Sequence, residues 1–168
     1  MLQHTVKQLR DLVIGKNVIA MCIGSDFGDD IAGTLFYKLT HKHLSNIKII
    51  FCGTTPEKFL TEVKGLKPNL VLMINAIDRS LKPGTVVVED LLEQHSESLL
   101  AHNLPLSLIA HILSSELNDC LFRLIGIQAA KAYGSPSKPV VQSVKNLAKV
   151  ILEFDKYAKG GSSFEQRS

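Results

Sequence analysis

VIAMCIGSDFGDDIAG, residues 18–33, sets the architecture. Its first six residues are an unbroken apolar run, which fits a strand buried on both faces, as in a parallel sheet. Gly24 ends the run, and Ile31, Leu35, Phe36 and Leu39 then recur at helical spacing between about residues 30 and 44. The same strand–loop–helix unit repeats downstream. IKIIFC (47–52) reads as a second strand, followed by a helix that Pro56 can open and that Phe59, Leu60 and Val63 line. Pro68 stops that helix, and LVLMI (70–74) reads as a third buried strand. After a Pro83-Gly84 turn come a shorter strand, TVVVED (85–90), a helix over 102–116, a fifth strand, LFRLIGIQ (121–128), and a closing helix over 140–157. Upstream, Val6, Leu9, Val13 and Ile14 mark a first helix that stops at Gly15. Alternation of this kind predicts an α/β fold with right-handed crossovers and an open, mostly parallel sheet of about five strands. In such sheets, ligands sit beyond the carboxyl ends of the strands. The loops after the strands are therefore the place to look for chemistry.

The totals narrow the class of protein. At 168 residues, the chain suits one domain, expected over residues 1–158, with the Gly/Ser-rich residues 159–168 as a flexible tail. Charged residues are scattered, and the net charge is +3. No basic stripe points to a nucleic acid. Cys22, Cys52 and Cys120 each lie in an apolar run, and no two of them have metal- or redox-motif spacing, so buried free thiols in a reducing compartment are expected. The first 16 residues lack the apolar core of a signal peptide, and no stretch approaches the roughly 18 consecutive apolar residues of a membrane span. A soluble, intracellular protein is expected.

Three polar groups stand at strand ends. The loop after the first strand holds three aspartates within five residues, Asp26, Asp29 and Asp30, without the glycine spacing of a dinucleotide site or the lysine of a phosphate loop. Asp29 and Asp30 fall where a helix begins. There, a carboxylate caps orphan N–H groups, or else serves a metal or a reaction. Asn75 follows the last apolar residue of the third strand, where it either makes a turn or faces the crevice above the sheet. Asp78, further along, reads as solvated. His102 precedes a proline-marked helix start. A carboxylate, an amide oxygen and an imidazole together suit a borderline divalent ion such as nickel or zinc.

Taken in order, these segments resemble the hydrogenase maturation endopeptidases. GDDIAG (28–33), GTTPE (53–57), NAIDRSLKPGTV (75–86), HNLPL (102–106) and LIGIQ (124–128) are similar to that family's successive motifs and span roughly residues 17 to 157. The resemblance implies a three-layer αβα sandwich. It also implies a processing protease that removes the C-terminal extension of a nickel–iron hydrogenase large-subunit precursor after nickel insertion. On that pattern Asp30, Asn75 and His102 contact nickel carried by the precursor, and Asp30 is the catalytic carboxylate. The protein has no cofactor of its own, its partner is the precursor, and it is expected to work as a cytoplasmic monomer without nucleic acid or membrane. Two positions depart from the family pattern: Asn75 stands where an aspartate is usual, and Ile31 where glycine is usual. Asparagine cannot act as a general base. The alternative is therefore a non-catalytic module that holds the metal-loaded precursor.

Overall fold

The computed structural model describes residue 1, residues 3–93 and residues 104–160. Five strands form one sheet: β1 (Val18–Ile23), β2 (Lys48–Gly53), β3 (Leu70–Ile77), β4 (Val86–Asp90) and β5 (Leu121–Gln128), in the order β2-β1-β3-β5-β4. The first four strands of that order run parallel, and β4 pairs antiparallel with β5 at the edge. Every residue of β1 and β3 is buried, as continuous apolar runs require of central parallel strands.

Five helices complete the layers: α1 (Gln3–Val13), α2 (Ala32–Thr40), α3 (Leu60–Leu66), α4 (Leu106–Ser114) and α5 (Lys138–Phe154). Strand alternation sends Ala20, Cys22, Leu72, Ile74, Ile125 and Ile127 to one face, where they pack with α1, α2 and α5. The opposite set, including Met21, Ile23, Met73, Ile77 and Leu124, packs with α3 and α4. The result is the three-layer αβα sandwich. In α5, Val140, Val144, Leu147, Ala148, Ile151 and Phe154 form one buried stripe at helical spacing. Each large apolar side chain fully buried in these two cores contributes about 1.5–3 kcal/mol relative to exposure. Among the described residues, no helix is long and apolar enough to cross a membrane.

The boundaries differ from the sequence expectation in informative places. β3 does not end at Ile74, because Asn75, Ala76 and Ile77 continue the ladder opposite Gly126, Ile127 and Gln128. Asn75 is thus a strand residue rather than a turn residue. Gly126 makes room for this extension, since a Cβ there would sit 2.7 Å from Ile77 Cδ1. The helix expected from residue 30 begins as a 3-10 turn, Gly28–Ile31, before α2. Residues 161–168 of the expected tail lie outside the described residues, and the Lys159 amide donates to the Lys16 carbonyl at 2.7 Å.

The chain runs from β1 outward to β2 and then back across β1 to β3. The order of strands therefore reverses between β1 and β3. In sheets of this kind a ligand sits beyond the carboxyl ends of the strands at such a reversal.

Candidate active site

Asp30 lies in the loop that leaves β1 and is fully buried. Its Oδ2 accepts a hydrogen bond from the Ser25 amide at 2.9 Å, and its carbonyl accepts from the same amide at 3.2 Å. The loop is pressed onto the sheet by Gly33, the second residue of α2. A Cβ there would meet the Ile23 carbonyl oxygen at 2.1 Å and the Ile74 carbonyl oxygen at 2.7 Å. Only glycine allows the helix to come this near both β1 and β3. Asp30 is therefore carried directly above the junction of the two strands.

Asn75, the residue after Ile74, is also fully buried. By alternation it shares the face of Met73 and Ile77, the side on which α4 packs. Two of the three sequence candidates are thus buried at the carboxyl ends of neighbouring strands, Asp30 in the loop after β1 and Asn75 near the end of β3 on the α4 side. The third, His102, lies outside the described residues, as does His95. Among the described residues, no group of three or more His, Cys, Asp or Glu side chains could hold a metal ion.

Asp29 has a different role from its neighbour. It caps nothing in its own 3-10 turn; instead its carboxylate reaches the loop between β5 and α5. Oδ2 accepts from the Ala130 amide (2.7 Å), the Lys131 amide (3.0 Å) and the Ser137 hydroxyl (2.9 Å). Oδ1 accepts from the Ser137 amide at 2.6 Å. Burial alone would raise the pKa of this group. The Ser137, Ala130 and Lys131 amides outweigh that effect and hold the carboxyl below the usual carboxylate value. Two backbone bonds tighten the same seam: Gly28 N–H to the Gly134 carbonyl and Asp29 N–H to the Lys131 carbonyl, each 2.9 Å.

Two further anchors fix the neighbouring loops. Gln128, at the end of β5, takes the Arg79 amide (2.8 Å) and the Leu81 amide (3.3 Å) on its Oε1, and its Nε2 donates to Asp78 Oδ1 at 3.2 Å. Asp78 itself is at the surface, as its position in the sequence suggested. After β2, the Gly53 carbonyl accepts from the Gly24 amide at 2.9 Å, which ties the GTTPE loop to the Asp30 loop. In that loop, the buried Oε2 of Glu57 has no hydrogen-bond partner among the described residues. The roles of Asp29 and Gln128 escaped the sequence reading because their partners are remote in the chain. No local pattern marks them.

Comparison with known proteins bears on this geometry. The family profile HycI, hydrogenase maturation protease, matches residues 31–154, well over half of the chain. The hydrogenase 3 maturation protease of Escherichia coli K12 is 25% identical over 153 residues, covering 88% of this chain and 94% of that protein. Among solved structures, the [NiFe] hydrogenase maturation protease HycI from Thermococcus kodakarensis superposes with a TM-score of 0.79 at 28% identity, covering 89% of this chain and 99% of that one. The hydrogenase maturating endopeptidase HybD from E. coli, at 14% identity and a TM-score of 0.66 over 82% of this chain and 90% of its own, shares the fold.

Proposed function

The chain belongs to the hydrogenase maturation protease family, a family of endopeptidases, and from that premise we propose that it removes the C-terminal extension of a nickel–iron hydrogenase large-subunit precursor once nickel is in place. The observation that carries this reading is the position of Asp30, a fully buried carboxylate held above the β1–β3 junction beside the strand that bears Asn75. A carboxylate oxygen and an amide oxygen are ligand types that a divalent metal carried by the substrate can accept.

In this mechanism, the nickel site of the precursor docks against Asp30 and His102, with the Asn75 amide oxygen as a neutral third contact. Docking holds the scissile bond in place, which converts an encounter into an oriented, intramolecular-like step. Water adds across the peptide bond, the C–N bond breaks, and the proton goes to the departing amine. The substrate's metal polarises the water or the carbonyl, and Asp30 is the one carboxylate of the set able to take a proton. Because the metal arrives with the substrate, an unloaded precursor lacks the anchor and is spared. The enzyme needs no metal of its own.

The test is incubation with nickel-loaded and nickel-free large-subunit precursor, followed by mass spectrometry. Loss of the C-terminal extension is expected only in the loaded sample. Asp30→Ala should reduce the rate by at least about 100-fold, the lower range for removing a positioned acid–base group. Equal cutting of the nickel-free precursor, or normal maturation by Asp30→Ala, would overturn the reading. A loaded precursor bound but left intact would instead describe a holding module.

A further inference from the structure

Phe27 and Tyr133 are large aromatic side chains left 68% and 79% exposed. Single exposed aromatics are ordinary on a protein surface. These two sit on loops whose backbones touch. Gly28, next to Phe27, donates to the Gly134 carbonyl at 2.9 Å, and a Cβ on Gly28 would lie 2.5 Å from the Ala132 carbonyl and 2.7 Å from the Tyr133 amide nitrogen. With φ at +51°, residue 28 is glycine for both conformation and contact. Neither ring belongs to a stacked or tilted aromatic pair among the described residues.

The mounting is unusually stiff for a surface loop. The fully buried Asp29 carboxylate spends both oxygens on Ala130, Lys131 and Ser137, so the loops carrying Phe27 and Tyr133 form one rigid body. Burying a carboxylate is costly, and here four hydrogen bonds offset the cost and join the two loops. The seam also holds two exposed rings, Phe27 three residues before Asp30 and Tyr133 on the facing loop. Rigid aromatics lose little entropy when covered, which is why they recur as anchors where one polypeptide meets another.

We propose that Phe27 and Tyr133 form an aromatic rim that grips an apolar stretch of the precursor polypeptide adjoining the scissile bond, and so set substrate affinity. This rests on the reading of the chain as a precursor-processing protease. The occupant follows from continuity with that site: Phe27 lies in the same loop as Asp30, three residues before it, and Tyr133 lies on the loop that this one touches. The rim supplies uniform binding and takes no part in bond breaking. Its loss should therefore appear in KM and leave kcat unchanged.

The experiment compares wild type, Phe27→Ala/Tyr133→Ala and the conservative pair Phe27→Tyr/Tyr133→Phe on nickel-loaded precursor. Because both side chains are exposed, thermal stability should not move. The alanine pair is expected to raise KM by at least about tenfold with kcat within about twofold, and the conservative pair to retain wild-type values. Ile14→Ala, an exposed apolar residue after α1 and away from the site, should change neither constant. An unchanged KM in the alanine pair overturns the rim, as does a fall in kcat alone. Equilibrium binding of loaded precursor to each variant is measured alongside. If wild type cuts nothing, the protease reading fails, while the rim is still judged on whether the alanine pair weakens binding by about the same tenfold factor.

Discussion

Asp29 and Asp30 are neighbours, both fully buried, and serve different ends. Asp30 is held by the Ser25 amide above the sheet junction, whereas Asp29 is used up as a clamp on residues 130, 131 and 137. Asp29→Asn keeps the shape but loses the charge on four hydrogen bonds and turns one acceptor into a donor facing N–H groups. A loss of about 2–4 kcal/mol in denaturant unfolding is expected. The pH dependence follows from the depressed pKa. A carboxyl whose folded pKa lies below its unfolded value of about 3.9 adds stability above that value and loses it as pH falls through the folded one. Wild type should therefore lose stability steeply below about pH 4, and Asp29→Asn should show a shallower acid limb in the same titration. Cysteine chemistry is a second prediction at this scale. Burial, reinforced by the Glu62 and Glu57 carboxylates, pushes the Cys52 thiol up to about 12, and burial pushes Cys120 to about 12 and Cys22 well above its ordinary range. Thiolate is the reactive form, so native protein at pH 8 should resist iodoacetamide, read by mass spectrometry, with the half-buried Cys120 the first to react. The sequence could place Asp30 through its position after a strand. It could not assign Asp29, whose partners lie more than 100 positions away.

At the scale of elements, the apolar runs of β1 and β5 are legible because central parallel strands need no alternation to be recognised, while β2, a partly exposed edge strand, is legible from its apolar run and the glycine that ends it. β3 runs three residues past the end its apolar run predicts, because Asn75 looks like punctuation in the sequence and only its pairing with Gly126 shows otherwise. The antiparallel direction of β4 was not legible either. It depends on pairing with β5, which comes later in the chain. Gly33 closes the GDDIAG stretch, and what requires glycine there is contact. Gly33→Ala would drive a methyl group into the Ile23 and Ile74 carbonyls and push α2 off the sheet. The expected cost is about 3 kcal/mol or more by chemical denaturation, because backbone cannot yield as a side chain can. The same substitution should lower cleavage at temperatures where the variant is still folded, since Asp30 rides on the displaced helix start.

For the whole molecule, the Asp29 seam joins the loop after the first strand to the loop after the last one. The amides of Gly28 and Asp29 donate to the carbonyls of Gly134 and Lys131. A surface loop normally exchanges its amide hydrogens by local fraying. These two amides should instead exchange as slowly as those of β5, and native-state hydrogen exchange would show a shared opening free energy. Fast exchange at Gly28 and Asp29 with β5 protected would show that the seam opens by itself. A clamp spanning 108 positions has a further consequence during translation. While the ribosome is still making β5, the donors at 130, 131 and 137 do not yet exist, and the Asp29 side of the loop has no clamp. Closure of this seam is therefore a late event in the making of the chain, completed only when the start of α5 is in place.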